Sequence, residues 1–184
     1  MPHQPLHASL ASWALEATGA TDQVRQWLYD SSSLTRKLTA ASAHRFTVTP
    51  LREGWQTLRD DECLALGLPA ASQGWVREVF LRGRGEAWVF ARSVAGRQAL
   101  ENDDFALAAL GTRSLGELLF SDAAFQRQPF DVCRYPRGWL PREVATDGLW
   151  ARRSRFDRAA LAVLVMEVFL PALWRAVGTC EENP

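Results

Sequence analysis

The sequence predicts an α+β fold with a meandering, mostly antiparallel sheet, and three observations predict it. Helical spacing gathers near the front of the chain, a glycine-turned hairpin occupies the middle, and a second hairpin lies near the end. Residues 1 to about 20 read as a loose end. "DQVRQWLYD" then sets Val24, Trp27 and Leu28 at helical spacing, with Asp22 able to cap. The serine-rich "SSSLTRKLTAA" breaks that helix and caps a second helical turn carrying Leu34 and Leu38. "HRFTVTPLREGW" alternates as a strand does, and Pro50 assigns it to an edge or a bulge. Residues 58–72 read as a surface connection. "GWVREVFLRGRGEAWVFARSVA" is two β-rich runs joined by "RGRGE", whose glycines permit the positive backbone angles of a tight turn. Residues 101–120 read as two short helices broken at Gly111, and 134–148 as a long, proline-bearing loop. "LWARRSRFD" and "LAVLVMEVFLP" form the last hairpin, turning near Asp157 to Ala160.

Composition bounds what the protein does. A chain of 184 residues, 47% apolar and 23% charged, fits one soluble domain with a sizeable core. Twenty-one basic residues balance twenty-one acidic ones, so no net charge draws the chain to nucleic acid or to a membrane surface. The basic side is almost all arginine, with Lys37 the only lysine; a GC-rich genome explains that as readily as anion binding. Cys63, Cys133 and Cys180 form an odd set without metal-type spacing, and His3, His7 and His44 are scattered. Neither a zinc site nor a disulfide framework is expected, and a reducing cytoplasm fits best. The N-terminus lacks the pattern of a signal peptide. Residues 161–170 are too short for a spanning helix, which needs about 20 residues. The expectation is a cytoplasmic monomer without membrane insertion.

Two residues break the strand patterns. In "LAVLVMEVFLP" both strand faces are apolar, as in a strand covered on two sides, except that Glu167 shares a face with Leu161, Val163, Val165 and Phe169. In "WVREVFL" the more apolar face, Trp75, Val79 and Leu81, carries Arg77. The opposite face holds Val76, Glu78, Phe80 and Arg82. A buried charge is costly unless paired and hydrogen-bonded. Arg77 and Glu167 could therefore form a buried salt bridge, could each reach water near a strand end, or could face a small anionic ligand in a closed cavity. In the last case the planar guanidinium matches a carboxylate. A carboxylate desolvated by an apolar wall suits hydrogen bonding or proton transfer near neutral pH. Other motifs say less. "RGRG" lacks phosphate-loop spacing and sits in a hairpin, and "ARRSR" reads as an edge strand with its arginines toward solvent. The eight tryptophans form no basic-aromatic stripe for nucleic acid.

Six segments in order, "QWLYDSSSLTRKL", "VTPLREGW", "WVREVFLRGRGEAWVFARSV", "LGTRSLGELLF", "GLWARRSRF" and "VLVMEVFLP", resemble the chorismate lyase family over most of residues 24–171. The resemblance implies a single-domain fold over 1–184 whose helical flaps close an internal ligand cavity. It also implies catalysis without metal or cofactor. It further implies that Arg77 binds the substrate carboxylate, that Glu167 is the active-site acid, and that Leu34 and Leu115 contact ligand from the two flaps. Leu34 stands where the family commonly has methionine, which keeps an apolar contact but loses the thioether. Ala91 stands where glycine is common, adding a methyl beside the cavity. Residues 128–147 are longer than the family leads one to expect and read as a surface excursion, with an extra, loose tail after Trp174.

The implied substrate is chorismate, and the implied products are 4-hydroxybenzoate and pyruvate, in ubiquinone biosynthesis. An alternative is a non-catalytic, aromatic-acid-binding sensor module of the same fold. Such sensors carry a DNA-binding region ahead of this domain, and only about twenty residues precede the first matched segment here.

Overall fold

The computed structural model describes residues 11–101 and 111–178. Among these, one seven-stranded antiparallel sheet runs in the order β1-β2-β3-β7-β6-β4, with β5 also paired to β6. The strands are β1 (Phe46–Thr57), β2 (Gln73–Gly83), β3 (Glu86–Gly96), β4 (Gln126–Arg127), β5 (Asp131–Arg134), β6 (Trp150–Arg158) and β7 (Leu161–Phe169). The helices are α1 (Asp22–Leu28), α2 (Leu34–Ala41), α3 (Asp60–Leu66), α4 (Arg97–Glu101), α5 (Leu115–Ser121) and α6 (Pro171–Val177). The architecture is α+β, as the sequence predicts.

Local chemistry accounts for most boundaries. The α1 cap is Thr21, whose hydroxyl accepts from Val24 N–H, while Asp22 lies inside the first turn. Ser33 caps α2 in the same way. β1 is an edge strand, and its register with β2 slips between Pro50 and Arg52, where proline has no N–H to give the ladder. The β2–β3 hairpin turns on two residues, Arg84 and Gly85, both with positive φ. That is the turn whose twist matches its flanking strands.

Side-chain alternation divides the core. The face bearing Val79, Leu81, Val89, Ala91, Val165 and Phe169 is covered by α1, α2, α5 and α6. The face bearing Val76, Phe80, Phe90, Val94, Leu164 and Met166 is covered by α3 and the stretch from Tyr135 to Leu149.

Four expectations are corrected. Residues 58–72 contain α3, whose Glu62 and Cys63 are buried. Residues 128–147 are not a surface excursion throughout: Tyr135 and Leu140 are buried against the sheet. Residues 11–20 are tied down: Ala14 bridges Val132, Trp13 Nε1 donates to Asp61 Oδ2 at 2.8 Å, and Ala17 is buried. The chain after Trp174 continues in α6 to Val177. In each case residues without long apolar periodicity find partners far away in sequence, acids meeting arginines in α3 and aromatic or apolar side chains meeting the sheet elsewhere. Of the expected pair of helices in 101–120, α5 is present, and 102–110 lie outside the described residues, as do His3, His7 and Cys180.

Candidate active site

Between the odd-numbered face of β2, β3 and β7 and the helices α2 and α5 lies a narrow, largely closed cavity. Val48, Val79, Leu81, Ala91 and Val165 line it from the strands, and Leu34, Leu115 and Leu119 line it from the helices. Three charged side chains reach it: Arg77 from β2, Arg127 from β4 and Glu167 from β7. Register explains why two distant segments meet here. Arg77 pairs with Ser93, while Glu167 pairs with Ala91 on the same central strand. They sit two strands and two residues apart, which separates their Cα atoms by roughly 12 Å. Side chains from both can bracket a ring-sized ligand without touching each other.

Arg77 is 2% exposed and does not pair with Glu167. Its Nε lies 3.0 Å from Glu53 Oε1 on β1, an ion pair whose N–H is not aimed along the contact. Its Nη groups donate to the backbone carbonyls of Gly111 and Arg113. Burial lowers the Arg77 pKa from its usual value, and Glu53 works against that. The guanidinium thus ties the edge strand to the approach to α5.

Glu167 has an ion-pair partner other than Arg77. Glu167 Oε2 accepts from Arg152 Nε at 2.6 Å, and the two residues are cross-strand partners on β7 and β6. Arg152 is 1% exposed, donates to the carbonyls of Trp27 and Asp30, and lies over the rings of Phe130 and Phe169. β6 is an interior strand, so "ARRSR" is not a solvent-facing edge. Arg152 shares its face with Trp150, Ser154 and Phe156. The aromatic residues at both ends of that face are the signal that marks the arginine as inward.

Arg127 has no such signal in the sequence, because its strand is two residues long. Its Nε donates to Ser154 Oγ at 2.9 Å, and its guanidinium stacks over Phe130 at 4.1 Å and Phe156 at 5.0 Å. Burial pushes its pKa down to about 10, while Glu167 and Asp30 oppose the shift and Arg152 adds to it.

Leu34 and Leu115 are the first residues of α2 and α5, and both are buried against the cavity. The two helices meet through Thr35 Oγ1 and Ser114 Oγ, 2.7 Å apart. A second, wider hollow lined by Arg36, His44 and Arg113 shares Thr35, Val48 and Ser114 with the cavity. The Thr35–Ser114 contact therefore stands between the cavity and the outside.

The even-numbered face of β2, β3 and β7, which odd-numbered residues of β6 share, also buries charge. Arg92 is held by Glu62 at 2.6 Å and by Glu78 at 2.7 Å. Burial opposes the Arg92 cation, but the two carboxylates outweigh it and hold its pKa above the usual value. Arg153 lies 3.3 Å from Asp61 and 3.1 Å from Asp131. Tyr135 Oη accepts from Arg59 at 2.8 Å, and burial pushes the phenol up to about 12. Among the described residues no group of three or more His, Cys, Asp or Glu is placed to hold a metal ion.

A family model described as chorismate lyase matches residues 10–179. A Pseudomonas fluorescens Pf-5 protein named "Probable chorismate pyruvate-lyase" is 58% identical over 185 residues, covering 99% of each chain. One of the same name from Pseudomonas putida KT2440 is 56% identical over 186 residues, covering 100% of each. Two solved structures are similar at low identity. The effector binding domain of the Bacillus subtilis trehalose repressor has a TM-score of 0.49 and 11% identity, over 75% of this chain and 99% of that one. The C-terminal domain of the Pseudomonas syringae histidine utilization repressor has a TM-score of 0.48 and 10% identity, over 76% of this chain and 98% of that one. With a family model running nearly end to end and relatives more than half identical over their full length, the chain belongs to the chorismate lyase family.

Proposed function

We propose that this lyase converts chorismate to 4-hydroxybenzoate and pyruvate, the step that supplies the aromatic ring for ubiquinone. Chorismate carries a ring carboxylate, a hydroxyl across the ring from it, and an enolpyruvyl ether on the carbon beside the hydroxyl. Arg77 holds the ring carboxylate. An ionised acceptor outcompetes the neutral Gly111 and Arg113 carbonyls that the guanidinium otherwise binds. Glu167, kept in place by Arg152, accepts a hydrogen bond from the hydroxyl at the far end of the ring. Leu34 and Leu115 supply apolar contacts from the two covering helices.

The carbon bearing the hydroxyl loses its proton, and the neighbouring carbon–oxygen bond breaks. The electron pair of the C–H bond completes the aromatic ring. The departing enolpyruvate gains a proton at its methylene carbon and becomes pyruvate. Aromatisation supplies the driving force, so the site's task is to orient the ring and exclude water. The scheme balances without a redox partner. The reading includes a monomer acting on a diffusible substrate in the cytoplasm. No helix among the described residues is long and apolar enough to cross a membrane.

One observation carries the proposal: a buried cation from β2 and a buried carboxylate from β7 line a single apolar cavity. The test is incubation of pure protein with chorismate, following pyruvate by a coupled dehydrogenase and 4-hydroxybenzoate by chromatography. Equimolar release of both is expected. Tight binding of aromatic acids without pyruvate release overturns the reading in favour of a sensor.

A further inference from the structure

The elimination starts from a substrate with two carboxylates, and Arg77 accounts for one. With the ring carboxylate at Arg77 and the hydroxyl at Glu167, the enolpyruvyl ether, one carbon from the hydroxyl, lies toward the Glu167 end. Its carboxylate would then stand beside Glu167, where like charges repel unless a cation separates them. Arg127 is the cation of the cavity wall at that end: it lines the cavity and interacts electrostatically with Glu167. Its guanidinium is already oriented by Ser154 Oγ, by the Ser31 carbonyl and by the rings of Phe130 and Phe156. A planar cation backed by aromatic faces presents its edge to a carboxylate with little ordering left to do.

We infer that Arg127 binds the carboxylate of the enolpyruvyl group, so that the cavity holds a second anion subsite reserved for the part of the substrate that leaves. The subsite rests on the chorismate reading and extends it. Arg77 serves substrate and aromatic product alike, whereas Arg127 serves the substrate and the departing pyruvate but not 4-hydroxybenzoate.

The experiment compares Arg127→Ala, Arg127→Gln and Arg127→Lys with Arg77→Ala. It measures kcat/KM for chorismate and, by quenching of intrinsic tryptophan fluorescence, Kd for 4-hydroxybenzoate. Loss of a charge-assisted contact predicts that kcat/KM falls about 30-fold in the Ala and Gln variants while Kd for 4-hydroxybenzoate moves by less than about twofold. Arg127→Lys recovers part of the loss, and Arg77→Ala weakens both ligands. Equal weakening of chorismate and 4-hydroxybenzoate by Arg127→Ala overturns the inference, since that is what a wall residue shaping the cavity would do. An unchanged kcat/KM overturns it too. If the alanine variant does not fold, the Gln and Lys variants carry the same comparison. Failure of the wild type to release pyruvate overturns the underlying reading instead, and is seen before any variant is compared.

Discussion

The two faces of the sheet bury charge in similar amounts and to different ends. On the even-numbered face Arg92 sits between Glu62 and Glu78, and Arg153 between Asp61 and Asp131, with α3 packed directly over them. On the odd-numbered face Arg77, Arg127 and Glu167 reach a hollow, and Arg77 and Arg152 spend donors on backbone carbonyls beyond the sheet. A buried arginine beside a carboxylate is thus no mark of a site. The mark is space left over, walled by apolar side chains, into which charges from several strands converge. The first face fastens a helix, and the second lines a cavity.

The largest expected effect breaks the first face and leaves the second alone. Glu62 is 0% exposed and accepts from both Arg92 and Arg59 N–H. Its replacement by alanine leaves the buried Arg92 cation with Glu78 alone and Arg59 N–H without its acceptor, and should lower unfolding free energy by about 3 kcal/mol, read by urea melts. The surviving folded protein should keep its kcat/KM; a tenfold loss there would erase the contrast between the faces. Glu167→Gln is the converse. Arg152 retains the carbonyls of Trp27 and Asp30, so the fold should persist while kcat drops by about 100-fold. Wild-type turnover would make Glu167 a structural partner only. For Arg77→Ala the expected loss in kcat/KM is at least about tenfold, or about 1.4 kcal/mol. Unchanged kinetics in a folded variant would remove Arg77 from the site.

The smallest effect is on the rim. Burial tends to raise the Asp30 pKa, but Lys37 and Ser32 outweigh it and hold the carboxyl well below the usual range. A depressed acid adds stability above its unfolded pKa and loses it as pH falls toward the folded one. Asp30→Asn should therefore cost about 0.5–1 kcal/mol at pH 7, the scale of a half-exposed pair. The difference should shrink as pH drops from about 4 toward 2. A cost that is constant with pH would point to packing rather than charge.

Legibility followed the range of the interaction. Arg77 and Glu167 stood out because each interrupts an apolar strand face, a pattern contained in seven to eleven consecutive residues. Arg152 carries a weaker local signal and reads as solvent-facing from sequence, since nothing in "ARRSR" reveals that β4 and β5 cover its strand on the far side. Arg127 sits in a two-residue strand with no period at all. Helix α3 escaped notice because its inward residues, Asp61 and Glu62, are acids. Their burial makes sense only with Arg153 and Arg92 opposite.

By itself the sequence determined the hairpins, the capped helices, the inward directions of Arg77 and Glu167, and through six ordered segments the family. These depend on alternation, turn chemistry and capping, which act within a few residues. Tertiary structure alone decided who pairs with whom: Glu53 for Arg77, Arg152 for Glu167, and Arg127 at the cavity wall. Charge pairing is decided by distance in space. Strand order, which brings residue 53 to residue 77 and residue 152 to residue 167, is a property of the whole sheet.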